Sequence, residues 1–200
     1  MKLFFSGNSP YARRPRMAIR EAGLAGKVEE VNLADPKERL TTLLQNGPGA
    51  KVPALLTDDG NFLIESLIIA RYLDEASGGK LYPKDKKERE VALQVEGVAS
   101  LLMDSLFHRS HEKRRDAGEQ SPGEIKKEAE RAKRAYDELE KLLPKYDGKV
   151  HMGSITTVAS LGYADWRHAD DDWRKGRPKL AAWFEKMMQR PAMAETKPIF

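Results

Sequence analysis

The chain of 200 residues contains no cysteine. That absence excludes disulfides, zinc–thiolate centres and cysteine nucleophiles together. Also missing is any apolar run approaching the ~18–20 residues of a membrane-spanning helix. Met1-Lys2-Leu3-Phe4-Phe5 passes at once into polar Ser6-Gly7-Asn8-Ser9, so no signal-peptide core develops and the cytoplasm is the expected compartment. Nor does one charge dominate: 35 basic against 31 acidic residues leave a net charge of +4. The signs interleave, as in Lys84-Asp85-Lys86-Lys87-Glu88-Arg89-Glu90. Such a pattern describes a solvated helix face with i,i+4 pairs, not a track for phosphates, and neither nucleic acid nor a membrane is an expected partner. Repeats and low-complexity segments are absent too. What is present, 40% hydrophobic residues beside 33% charged ones, suffices for a well-hydrated, folded protein.

The pattern changes character near residue 77. Before it, the spacing predicts strands over 2–6 and 27–33, with a helix over 16–23 between them. A short helix over 40–45 follows, then strands over 54–57 and 61–64 around the Asp58-Asp59-Gly60 turn, and a helix over 66–76. A β-α-β-α-β-β-α order in so few residues implies a small mixed sheet covered by helices. Gly78-Gly79 stops the last helix.

A linker over 77–85 leads into a half that reads as all-helical, giving domains at 1–76 and 86–200. Its helices are expected over 88–111, over 125–146 behind Ser121-Pro122-x-Glu124, and from Pro178 to the Arg190-Pro191 stop. Between Val150 and Ala164 no residue is formally charged when His151 is neutral. A helix without a charged face is buried on all sides, so 153–163 is the expected centre of this half.

Three short stretches can carry chemistry. Ser9-Pro10-Tyr11 follows the first strand, where a hydroxyl sits beside free N–H groups and the positive end of a helix dipole. A thiolate is the anion such a place suits; the plain alternative is a helix-capping serine. At Lys51-Val52-Pro53, a cis proline would leave the Val52 backbone groups outward as an edge for a peptide-like ligand. The alternative is an ordinary trans proline starting an edge strand. Glu65-Ser66 opens the last helix of the first half. Its N-terminus and hydroxyl suit a carboxylate, and Glu65 suits an ammonium; alone, the pair is a helix cap.

Taken together, these stretches resemble the thioredoxin-like domain of the glutathione S-transferase family. The similarity continues through Lys51-Val52-Pro53-Ala54-Leu55 and Ile68-Ile69-Ala70-Arg71-Tyr72-Leu73. Leu161-Gly162-Tyr163-Ala164-Asp165-Trp166-Arg167 and the stretch from Pro178 to Arg190-Pro191 resemble the all-helical domain of bacterial members. The resemblance implies a transferase with glutathione as cosubstrate, acting on small apolar electrophiles in detoxification, as a homodimer without a metal. It implies that Ser9 hydrogen-bonds the glutathione sulfur, that Val52 before cis-Pro53 pairs with the cysteinyl backbone, that Glu65 and Ser66 hold the γ-glutamyl end, and that Lys51 approaches the glycyl carboxylate. Tyr11, Phe107 and His108 would line the electrophile cleft. Asn8 is the alternative sulfur ligand, ranked second because Ser9 directly precedes Pro10-Tyr11. Glutathione-dependent isomerisation, ether cleavage or dehalogenation, or ligand binding without turnover, are the alternatives for function.

The sequence departs from the family pattern in two places. Pro15 would break a helix begun at Pro10, shifting its start toward residue 15 and drawing the dipole away from Ser9. His151 and Ser154 stand where a reciprocal Ser/Thr–Asp cap is expected, so that cap should be incomplete. His108-x-x-His111 has helical metal-ligand spacing without a third ligand; Asp170-Asp171-Asp172 reads as a polar loop. The three tryptophans pack the helical half, with Arg167 bridging to Asp165 or a neighbour.

Overall fold

Four short strands line up in the order β2-β1-β3-β4. In the computed structural model, which describes residues 1–143 and 149–198, β1 is Lys2–Phe5, β2 Glu29–Asn32, β3 Ala54–Leu56 and β4 Phe62–Ile64. β1 and β2 run parallel, so the chain must cross over between them, and α1 (Pro10–Glu21) makes that crossing. β3 is antiparallel to both β1 and β4. With α2 (Pro36–Leu44) and α3 (Ser66–Ala76), this is the β-α-β-α-β-β-α order of a thioredoxin-like domain.

The period-two alternation of the strands sorts side chains to the two faces of the sheet. Leu3 pairs with Leu55 in the register, and both are fully buried. Phe4 pairs with Ala54 on the opposite face, where Leu33 and Leu43 complete an apolar cluster. α2 is longer than its apolar residues suggest, because Asp35 caps it by accepting from the Lys37 and Glu38 N–H groups at 2.9 and 2.8 Å.

α1 begins six residues before the expected start. Ser9 is its N-cap and Pro10 its first residue, a place where proline loses nothing. Pro15 lies inside the helix, yet the helix continues through it. Burial holds it there: Ala12, Met17, Ala18 and Ile19 are all in the core. Arg13, Arg14 and Arg16 of this helix are buried as well, and each has a partner. Arg16 donates to Glu30 at 2.8 Å and lies over the Phe5 ring, while Arg13 donates to the Met193 carbonyl at 3.1 Å.

Two compact units result, Met1–Lys84 with the chain from Pro191 onward, and Asp85–Arg190. The return of the C-terminal segment to the first unit comes from α8 (Pro191–Ala194), which packs on α1 and carries Met193.

In the second unit, α4 (Lys86–Glu112) packs along α5 (Pro122–Leu142) and α6 (Met152–Arg167), and α7 (Pro178–Met188) completes the set. The expected run of α5 to Tyr146 passes outside the described residues. Every residue from Met152 to Leu161 is buried. Hydroxyls make this possible by bonding backbone carbonyls of α6 itself and of α4 beside it. Thr157 donates to the Gly153 carbonyl at 2.8 Å, and Ser160 to the Thr156 and Ala99 carbonyls at 2.9 Å each. Gly153 is where α4 comes close, since a Cβ there would lie 2.6 Å from the Ala92 carbonyl oxygen.

The cap of α6 is complete, contrary to the expectation from sequence. His151 Nδ1 accepts from the Gly153 and Ser154 N–H groups at 3.1 and 3.4 Å, and Ser154 Oγ accepts from the His151 N–H at 2.9 Å. A neutral imidazole supplies the acceptor that a carboxylate or hydroxyl otherwise would. Burial keeps it neutral, pushing the His151 pKa down to about 4. Two further expectations need correcting. Asp165 is bridged not by Arg167 but by Arg174, at 2.6 and 3.0 Å, and by the Trp173 indole N–H at 2.7 Å; Arg167 instead stacks on Trp166. Asp171 is more than part of a polar loop, because it pairs with Arg109, a guanidinium only 3% exposed.

Candidate functional site

Antiparallel pairing decides which loops meet. Because Phe4 lies opposite Ala54 and Ala54 opposite Ile64, the C-terminal end of β1, the N-terminal end of β3 and the C-terminal end of β4 fall at one end of the sheet. Ser9, Val52-Pro53 and Glu65-Ser66 each follow or precede one of those ends. The topology therefore gathers the three stretches singled out from the sequence.

Ser9 has the extended backbone of an N-cap, φ −84° and ψ 118°, and its Oγ accepts from the Ala12 N–H at 3.2 Å. The hydroxyl keeps its own proton, and an oxygen already accepting an N–H is a stronger donor for it. Helix capping and anion binding are thus compatible at this residue. The N-terminus of α1 lies at Ser9, not farther along at residue 15. Asn8 is exposed, and its Oδ1 accepts from the Ser6 hydroxyl at 3.2 Å.

The Val52–Pro53 peptide is cis. Val52 is half-buried, and its N–H and C=O form no hydrogen bond among the described residues. Lys51 beside it is exposed.

Glu65 adopts φ +69°, a left-handed conformation for a residue that has a Cβ. Such positions cost on the order of 1–3 kcal/mol and gather at binding sites. The twist hands the chain straight into α3 without a side-chain cap. The first ladder bond of this helix runs from the Ile69 N–H to the Glu65 carbonyl at 3.0 Å. The N–H groups of Ser66, Leu67 and Ile68 precede that ladder and present the helix's positive end. Ser66 is 6% exposed, and its Oγ accepts from Arg14 Nη1 at 3.2 Å.

Arg14 was not singled out from the sequence. The available signal was positional: Pro10, Arg14 and Ala18 form one i,i+4 stripe, and Ala18 is fully buried. An arginine on the apolar stripe of a helix needs a buried acceptor, and Ser66 is one.

Of the residues expected to line an electrophile cleft, Tyr11 is the second residue of α1 and half-buried. Phe107 and His108 lie on α4, in the other unit. Phe107 stacks on His111 with ring centroids 3.9 Å apart, and His108 is exposed. His111 turns Nδ1 to the Phe107 carbonyl at 2.9 Å. Among the described residues no group of three or more His, Cys, Asp or Glu side chains gathers as metal ligands.

The helical unit holds a cavity of about 490 Å³ between α4, α5 and the loop before α7. Its guanidinium groups are committed to neighbours, Arg109 to Asp171 and Arg177 to Asp137. Tyr136, stacked on Trp173, has its phenol pKa pushed well above the usual value by burial.

Known proteins share both the sequence and the fold. Residues 8–76 match the N-terminal domain family of glutathione S-transferases. The chain is 29% identical to YibF of Escherichia coli, a GST-like protein, over 99% of its length and 98% of the relative's. A glutathione transferase family member from Pseudomonas fluorescens with bound glutathione superposes with a TM-score of 0.91 at 30% identity, covering 100% of this chain and 99% of that one. A glutathione S-transferase from Methylobacillus flagellatus with glutathione bound gives a TM-score of 0.89 at 29% identity, with 99% of each chain covered. On this likeness over its full length, and with its thioredoxin-like and helical parts in the same order, the chain belongs to the glutathione S-transferase family.

Proposed function

We propose that the protein is a glutathione transferase that holds its cosubstrate at the sheet end described above and activates the thiol as thiolate. The observation that carries this reading is the convergence of three donor sets at one place. They are the Ser9 hydroxyl on the N-terminus of α1, the unpaired Val52 backbone groups, and Ser66 on the N-terminus of α3. Bound glutathione in the similar structures from Pseudomonas fluorescens and Methylobacillus flagellatus supports it.

In this reading the Ser9 hydroxyl donates a hydrogen bond to the sulfur, with the α1 dipole adding to the stabilisation of the anion. Val52 pairs with the cysteinyl backbone as an added strand. Glu65 accepts the γ-glutamyl ammonium, the start of α3 takes its carboxylate, and Lys51 faces the glycyl carboxylate. The thiol proton leaves to solvent, and a sulfur lone pair forms the new bond to a small apolar electrophile while its leaving group departs or its double bond accepts the electrons. The same thiolate serves isomerisation, ether cleavage or dehalogenation. Binding without turnover is disfavoured, because the helix start that Pro15 threatened is at Ser9 after all.

We place the glutathione-binding domain at 1–76, joined through 77–85 to the helical domain, in a cytoplasmic enzyme. No helix among the described residues is long and apolar enough to cross a membrane. A homodimer is the proposed assembly. Ile64, Leu67 and Ile68 on the first unit and Leu93 and Leu101 on α4 are exposed apolar side chains, each between 37% and 48% accessible, of the kind a second copy covers. Light scattering at micromolar concentration should report twice the chain mass; a monomer would remove this part. For activity, Ser9→Ala should cut turnover with a model electrophile roughly 10–100-fold, the value of a hydrogen bond to a charged group, whereas Asn8→Ala should leave it intact. The reverse order would move the role to Asn8.

A further inference from the structure

We infer that the C-terminal segment beyond Pro191 tunes the activation of the thiol, with Arg13 as the positioning residue that links this segment to Ser9. This rests on the glutathione reading of the site. Ser9 acts from the first turn of α1, and Pro15 lies just behind that turn. Lacking an N–H, Pro15 cannot donate to the Tyr11 carbonyl one turn back, and its ring crowds that carbonyl. The ladder that carries rigidity along a helix is therefore interrupted close to the end that holds the sulfur.

The interruption is bridged from outside the helix. Arg13 donates its backbone N–H to the Ser9 carbonyl at 3.0 Å and its Nη2 to the Met193 carbonyl at 3.1 Å. One residue thus ties Ser9 to a carbonyl 180 positions beyond Arg13 in the chain. Both partners of the second bond are buried, where leaving a charged donor unpaired is costly. The acceptor is itself held in place. Met193 is fully buried, and Thr196 Oγ donates to the Ala192 carbonyl at 2.8 Å. On the far side of Pro15, Arg20 donates to Glu195 at 3.2 Å. Residues 13 and 20 share one face of α1, so the C-terminal segment is anchored on that face both before and after the proline. It acts as a splint. The first turn keeps the orientation in which the Ser9 hydroxyl and the helix dipole serve the thiolate, although the ladder behind it is broken.

The test follows the thiolate absorbance of bound glutathione across pH and, by calorimetry, the affinity for S-methylglutathione, whose sulfur cannot ionise. Arg13→Gln should raise the pKa of the bound thiol by roughly 0.5–1 unit and cut turnover below that pKa about 3–10-fold. Its affinity for S-methylglutathione should stay within about twofold of the unmodified protein's, because Val52, Glu65 and Ser66 are untouched. Adding Pro15→Ala returns the ladder bond, so the double variant should recover most of the lost shift, whereas Pro15→Ala alone leaves the pKa where it was. Arg20→Gln, beyond the proline, should lower the melting temperature without moving the thiol pKa. An unmoved pKa in Arg13→Gln overturns the inference. So does an equal loss of S-methylglutathione affinity, an equal pKa shift in Arg20→Gln, or a double variant that recovers nothing, since Arg13 would then only hold the C-terminal segment down. If Arg13→Gln does not fold, Thr196→Val keeps the side-chain shape and deletes the hydroxyl that ties the turn at Met193. It should shift the thiol pKa less, in the same direction; no shift there overturns the inference too. Should the unmodified protein bind neither ligand, or leave the bound thiol unshifted, the glutathione reading itself fails, which is a different result from losing the contribution of Arg13 alone.

Discussion

His151 shows how far a single side chain can depart from its expected role. From sequence it breaks the reciprocal cap of α6, yet its neutral ring completes that cap with Ser154. The cost appears at low pH. His151 and His168 both have pKa values pushed down to about 4 by burial, with the Arg109 charge adding to the effect at His168. Each stays neutral in the native protein while the unfolded chain takes up a proton below its ordinary value near 6.5. The unfolded state then binds more protons, so stability must fall as pH drops from about 6.5 to about 4. The slope approaches ~1.4 kcal/mol per pH unit for each residue at most. Asparagine can cap the helix without titrating, so His151→Asn should flatten this limb in urea titrations run between those pH values. An unchanged slope would show that His151 is not a source of it. Ser154→Ala should cost about 1 kcal/mol at neutral pH, whereas an idle cap would leave stability unaltered.

Among the elements, α3 was fully legible in its bounds, since Ile69, Ala70 and Leu73 repeat at helical spacing and all are fully buried. α6 was legible by its lack of charge. α1 was not, and the reason is physical. Its first turns hold Pro10, Arg13, Arg14, Pro15 and Arg16, a composition that reads as loop. What makes it helix is contact with residues far along the chain: Glu30, Ser66 and Met193 receive those arginines. Local propensity is overruled by such partners, which spacing alone does not reveal. Pro15→Ala should therefore restore a ladder bond and stabilise the protein by about 1–3 kcal/mol, without moving the pKa of bound glutathione, because the helix start is unaffected. A shifted thiol pKa in that variant would mean that Pro15 does reach the site. At the contact of α4 and α6, Gly153→Ala must separate the helices or strain them, since its Cβ would meet the Ala92 carbonyl oxygen at 2.6 Å. A loss of roughly 1–3 kcal/mol is expected in denaturant unfolding; a stability equal to the unmodified protein's would contradict that close approach.

For the whole molecule, the order of elements was readable because strands and helices alternate with clear turn signals before residue 77 and not after it. The candidate site was readable for a related reason. Its residues lie at strand ends, where Ser9-Pro10, Val52-Pro53 and Glu65-Ser66 break the hydrophobic pattern, and the sheet register brings those breaks to one end. Pairings across long stretches of chain were not readable. Arg109 with Asp171, Arg177 with Asp137 and Arg14 with Ser66 join residues whose neighbours in sequence give no sign of them. They matter as much to the account as the motifs do, because they give buried or half-buried guanidinium groups their acceptors.

The central claim is that Ser9 holds glutathione as its thiolate. Its most direct measurement follows the thiolate absorbance of bound glutathione across pH, in the unmodified protein and in Ser9→Ala. The account predicts a thiol pKa lowered by a unit or more in the first, worth about 1.4 kcal/mol per unit, and most of that shift lost in the second while binding persists. An unshifted thiol in the unmodified protein, or the same shift in both, would contradict it.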